Sequence, residues 1–122
     1  MRYDNYLIYL EDMLEAMNKI ERYIKDVDYE KFIQDEMMVD AVLNNVTIIG
    51  EAGTNIPEHV RGKYQEVPWK RIIGLRNIVV HKYFGVDLEI IWKIINENLP
   101  DTKPLIEKML LQIRSQEKNN NE

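Results

Sequence analysis

The sequence predicts an all-α protein, an antiparallel bundle of four to five helices. Three observations point there. Apolar residues recur at three- and four-residue spacing through most of the chain. Leu, Ile, Met, Glu and Lys are common, while only five Gly and four Pro occur among 122 residues. No stretch reads convincingly as a strand, and no internal repeat is present.

The first helix carries Tyr6, Leu7, Leu10, Met13, Leu14, Met17, Ile20 and Ile24 as one apolar stripe. Asp26-Val27-Asp28 interrupts it, and Asp28 suits the N-cap of the next helix. That second helix is predicted as one rod from Tyr29 to Ala52, with Phe32, Met37, Met38, Ala41, Val42, Val46, Ile48 and Ile49 on its apolar face. Gly50 lies near its end and Gly53 reads as a stop. From Thr54 to Val67 the pattern weakens. Asn55-Ile56-Pro57 and Gly62 mark a connector with one helical turn after Pro57.

Pro68 suits the first position of a third helix, which runs through Trp69, Ile72, Ile73, Leu75, Ile78, Val79 and Val80 to a stop at Gly85. Asp87 then caps a fourth helix bearing Leu88, Ile91, Trp92, Ile95 and Leu99. Pro100 and Pro104 are expected to break or kink it. Leu105, Ile106, Met109, Leu110 and Ile113 continue its stripe. The domain organisation predicted is one helical domain over residues 1–114 and a polar, disordered tail over 115–122.

Hydrophobic residues make up 45% of the chain and charged residues 30%, the balance of a soluble globular domain. No apolar run approaches the ~18 residues a membrane span needs, and no signal peptide is visible, so the expected location is cytoplasmic and no membrane partner is expected. Cysteine is absent, which excludes disulfides and thiolate metal sites. Two histidines without a neighbouring carboxylate cluster make a dedicated metal site, or any cofactor, unexpected.

The net charge of -5 speaks against a generic nucleic-acid coat. Its distribution is uneven. Between Arg61 and Lys82 the chain holds six cations and one acid, Glu66, a local charge of +5 that leaves -10 for the remainder. Such asymmetry can focus a positive field on one face and attract a phosphate backbone. Lys70, Arg71 and Lys82 are the candidate RNA contacts.

Within this segment lies Arg76-Asn77-Ile78-Val79-Val80-His81-Lys82-Tyr83. An apolar helix needs none of Arg, Asn, His or Tyr to fold. Arg76 can stabilise charge on phosphoryl oxygens, and His81 can move a proton at a ribose 2′-hydroxyl or a leaving oxygen. On a helix Asn77 and His81 share a face. Arg76 and His81 are about 140° apart, at ~100° per residue. A long Arg side chain, with Asn77 orienting the imidazole, can span that angle; alternatively, two copies of the helix share one site. The plainer readings are also open. His81 can cap helix carbonyls, Arg76 can pair with Glu51, and Tyr83 can be a packed amphipathic aromatic. His59 reads as incidental, Trp69 and Trp92 as core or dimer-interface anchors, and the methionines as core filler.

The Arg, four residues, His, one residue, Tyr pattern resembles the motif of HepT-like proteins of the HEPN superfamily. Ile49-Gly50-Glu51-Ala52 with a Pro-containing connector, Pro68-Trp69-Lys70-Arg71-Ile72-Ile73-Gly74-Leu75-Arg76-Asn77, Tyr83-Phe84-Gly85-Val86-Asp87, and the region from Trp92 to Leu99-Pro100 extend the resemblance to about residue 112. The resemblance implies a dimerising helical bundle with the motif helices lining a shared cleft. It implies the toxin of a type II toxin-antitoxin pair, a metal-independent endoribonuclease with Arg76 and His81 catalytic and Asn77 supporting. Its implied partner is a minimal nucleotidyltransferase antitoxin of the MntA type, which transfers AMP to the motif tyrosine, here Tyr83. The competing expectation is a non-catalytic subunit that binds a nucleotide or the nucleotidyltransferase.

Overall fold

The computed structural model describes residues 6–79 and 85–120; His81, Lys82 and Tyr83 lie outside the described residues. The helices are α1 (Tyr6–Ile24), α2 (Tyr29–Gln34), α3 (Glu36–Thr54), the single turn α4 (Glu58–Arg61), α5 (Trp69–Val79), α6 (Leu88–Lys93) and α7 (Leu99–Asn120), with a π turn (Ile94–Asn98) joining the last two. Among the described residues no strand occurs. The all-α bundle expected from the periodicity is therefore present.

α1 lies between α3 and α7, and α5 packs along α3. Leu10, Met13, Met17 and Ile20 of α1 meet Val42, Val46 and Ile49 of α3 and Ile106 and Met109 of α7 in one core, all 2% exposed or less. Burial of such side chains contributes roughly 1.5–3 kcal/mol each. At the surface, Glu21 pairs with Lys103 at 2.6 Å and Glu11 pairs with Arg114. This crossed order shows that α1 and α7 run antiparallel.

Several local expectations need correction. The second rod is broken at Asp35, not continuous to Ala52. Asp35 adopts φ -101, ψ 93; its N–H donates to the Phe32 carbonyl while its carboxylate accepts from the Met38 N–H at 3.0 Å. One residue thus closes α2 and opens α3. The break turns Phe32 fully into the core, where its ring lies 5.0 Å from that of Trp92.

Gly53 does not stop α3, which ends at Thr54 with Asn55 as its cap. Neither Pro100 nor Pro104 ends the C-terminal helix: a π turn interrupts the rod just before Pro100, and α7 runs on through Pro104. The π turn bonds the Leu99 N–H to the Ile94 carbonyl, and the Asn96 amide and Thr102 hydroxyl donate to the carbonyls of Trp92 and Asn98, both at 2.9 Å. Pro100 falls in the first turn of α7, where a missing N–H is tolerated.

The polar tail is helical as far as Asn120, with residues 115–119 exposed. Met37 is no core filler, being 84% exposed at the start of α3.

Candidate active site on helix α5

α5 owes its position to the connector before it and the glycines beside it. Ile56, Val60 and Val67 plug the connector into the core. The Trp69 indole N–H donates to the Tyr64 carbonyl at 3.0 Å and anchors the first turn. Ile72, Leu75 and Val79 then face inward. A Cβ added at Gly50 would lie 2.9 Å from the Arg76 backbone nitrogen and 3.2 Å from the Ile72 carbonyl oxygen. A Cβ at Gly53 would lie 2.6 Å from Ile72 Cγ2. Glycine inside a helix costs about 1 kcal/mol relative to alanine. Here that cost goes with a backbone-to-backbone approach that sets where Arg76 begins.

Arg76 and Asn77 are exposed. Arg76 makes no ion pair with any described residue, so the pairing with Glu51 considered from sequence is not formed. Lys70, Arg71 and Lys93 are likewise without a described anionic partner. Lys103, Lys108 and Arg114, by contrast, are each matched to a glutamate of another segment. These cations on and beside α5 thus carry no ion pair with a described residue, in a protein that is acidic overall. Arg61 differs from them: its Nε donates to the Ile56 carbonyl at 3.0 Å, so it braces the connector. His59 is exposed on α4, apart from this set.

The cations do not form one row. At ~100° per residue Arg71 and Arg76 are about 140° apart around α5. The Arg76 backbone nitrogen lies against Gly50 of α3, and its side chain is exposed. Arg71 instead lines a groove of about 700 Å³ between α5 and the α6–α7 rod, together with Gly74, Ile78, Ile90, Lys93 and Asp101. The groove and the central place of Gly74 within α5 were missed from sequence. An unexplained glycine amid a helical pattern was the available signal.

Beyond Val79, the chain is described again from Gly85, whose φ of 95° is a left-handed conformation suited to glycine. The Asp87 carboxylate then accepts from the N–H groups of Glu89 and Ile90 and caps α6, as predicted. The motif segment is thus framed by two fixed supports, Val79 buried in the core and Asp87 at the α6 cap. α6 is itself held to α2 by the rings of Phe32 and Tyr29, at 5.0 and 6.0 Å from Trp92.

The helical bundle thus presents an exposed arginine, without an ion pair among the described residues, on a glycine-seated helix. Comparison with known proteins specifies it further. The family model described as "Ribonuclease HepT-like" matches residues 13–109. "Putative RNase MJ1380" of Methanocaldococcus jannaschii is 44% identical over 99 residues, covering 81% of this chain and 91% of that protein. "Probable ribonuclease HepT" of Thermococcus cleftensis is 38% identical, covering 83% and 92%. "Putative RNase TTE0752" of Caldanaerobacter subterraneus is 36% identical, covering 84% and 91%. No solved structure matches the chain. The chain belongs to the HepT-like ribonuclease family, as the resemblance in its motif segments implied.

Proposed function

We propose that this protein is an endoribonuclease acting as the toxin of a toxin-antitoxin pair, with Arg76 and His81 as its catalytic residues. The observation that carries the reading is Arg76 itself. It is a fully charged side chain, exposed, unpaired among the described residues and rooted where Gly50 admits its backbone. Family membership supports RNA as the substrate.

In the proposed reaction His81 removes the proton of a ribose 2′-hydroxyl. That oxygen attacks the adjacent phosphorus, and the bond to the 5′-oxygen breaks as that oxygen takes up a proton. Arg76 stabilises the charge that grows on the non-bridging oxygens. Asn77 orients the imidazole, and Lys70, Arg71 and Lys82 hold the flanking backbone. No step requires a metal ion. The working form is a homodimer, and Tyr83 is the acceptor of AMP from a minimal nucleotidyltransferase antitoxin. The added phosphodiester competes for Arg76, and its adenosine obstructs RNA.

The test is RNA cleavage by purified wild type, Arg76→Ala and His81→Ala. Each substitution is expected to lower the rate by roughly 10²–10³-fold. Melting of Arg76→Ala should stay within about 0.5 kcal/mol of wild type, because the side chain is exposed. Nucleotide binding without cleavage by the wild type would instead favour a non-catalytic binding subunit. For the switch, intact mass is measured after incubation with the nucleotidyltransferase and ATP. An AMP adduct that persists in Tyr83→Phe removes Tyr83 from its role.

A further inference from the structure

The connector between α3 and α5 is built more firmly than a link between two helices requires. Its backbone closes on itself turn after turn. The N–H groups of Gly62, Lys63, Tyr64 and Val67 donate to the carbonyls of Glu58, Val60, Arg61 and Tyr64 at 3.0–3.1 Å. Side chains brace it further: Arg61 donates to the Ile56 carbonyl, Gln65 to the Gly62 carbonyl and Trp69 to the Tyr64 carbonyl. Ile56, Val60 and Val67 are buried beneath it. A connecting segment held this rigidly is suited to carry a binding surface.

Outward, these turns present a cation beside an aromatic ring. Lys63 is exposed and makes no ion pair with a described residue. Tyr64, next to it, packs against the core but is only half-buried. Of the two carboxylates in the connector, Glu66 is matched to Lys108 at 3.7 Å, which leaves Glu58. The Trp69 indole bond ties the turns to the start of α5, where the exposed Lys70 follows. Lys70 and Asn77 are seven residues apart, so they share one face of α5 to within about 20°. That face runs about 10 Å along the helix axis, at 1.5 Å per residue, from the connector end toward the motif end.

We propose that the connector turns are a second RNA-binding platform, on which Lys63 holds a phosphate and Tyr64 stacks a base some nucleotides away from the scissile bond. The inference rests on the ribonuclease reading above and adds a distant contact surface to it.

The pairing of residue types selects a single strand as the occupant. A cation beside an open aromatic face is what a single strand needs, one group for its backbone and one for an unstacked base. A duplex keeps its bases stacked and offers none to the ring. A metal ion has no ligand set here, since no group of three or more His, Asp or Glu that could hold one occurs among the described residues. The platform precedes α5 and Arg76 lies in its last turn, so only a strand long enough to reach back along the helix gains the contact.

The experiment compares steady-state cleavage by the full chain of two single-stranded RNAs that share one cleavage site, of about 16 and about 4 nucleotides, the span of common single-strand sites. Wild type should show the lower KM on the long RNA. Lys63→Ala should raise that KM about threefold and flatten the logarithmic salt slope by about 0.7. Tyr64→Leu should raise it about fivefold, and Tyr64→Phe, which keeps the ring, should restore it. In every variant kcat should stay within about twofold, because the contact is made equally before and during reaction. KM for the short RNA should not change. Circular dichroism checks the fold, and the exposed Lys63 keeps the test valid where Tyr64→Leu disturbs packing. A KM on the long RNA that neither Lys63→Ala nor Tyr64→Leu alters overturns the platform and leaves the ribonuclease reading standing. So does an equal rise on both RNAs, or a loss confined to kcat. A wild type that cuts neither RNA overturns the ribonuclease reading and the platform with it.

Discussion

Tyr29 shows how one residue ties separate parts of the chain together. Its phenol is pushed above the usual 10.0 by desolvation, then by the carboxylates of Glu89 and Asp87. Both carboxylates belong to the start of α6, next to the motif segment. A raised pKa means that the fold favours the neutral phenol. The associated stability is complete below pH 10.0 and is lost as pH rises through the higher folded value. Wild type should therefore lose melting temperature above pH 10.0, and Tyr29→Phe should lose less of it. Parallel melting curves against pH would dismiss this coupling. At this scale the caps at Asp28 and Asp87 were readable, because a cap is a local bond from a side chain to an N–H two or three residues away. The double role of Asp35 was not, because its neighbours continue a helical pattern on both sides.

At the scale of elements, the α3–α5 contact is where packing meets chemistry. Gly50→Ala drives a Cβ against backbone atoms of α5, including the Arg76 nitrogen. Gly53→Ala presses on the Ile72 side chain. Each should destabilise by about 1–3 kcal/mol, as overpacking does. Their effects on catalysis should differ. Gly50→Ala should lower kcat for RNA cleavage by about tenfold, since misplacing the arginine proposed as catalytic is costly. Gly53→Ala should leave kcat within about twofold, a side-chain neighbour being easier to move than a backbone. Urea melts with single-turnover kinetics separate the two, and equal kcat losses would refute a positioning role for Gly50. The helices themselves were legible from three- and four-residue spacing. The purpose of these glycines was not, because Gly53 near a helix end looks like a stop until the neighbouring helix is seen.

For the whole molecule the deciding quantity is charge placement. The chain is acidic overall, yet the cations of α5 have no described anionic partner while Lys103, Lys108 and Arg114 of α7 are matched. RNA binding should therefore weaken steeply with salt. If Lys70, Arg71 and Arg76 each neutralise one phosphate, the logarithmic slope is about -2, at ~0.7 per contact for a single strand. Lys70→Ala should flatten it by about 0.7. Titrations at several salt concentrations measure both, and a slope near zero would rule out a phosphate-tracking face.

By itself the sequence determined the helical class, the caps that set helix starts at Tyr29 and Leu88, the excess of cations before residue 83 and the membership of the HepT-like family. These are properties of spacing, local hydrogen bonding and composition, which act within a few residues. Tertiary structure alone decided that Phe32 turns inward at a broken rod and that Arg71 and Arg76 serve different flanks of α5. It also decided that Gly50 seats a helix whereas Gly74 faces an open groove. Those outcomes depend on which surfaces meet across long stretches of chain, and the same residue type carries opposite meanings until its neighbour is in place.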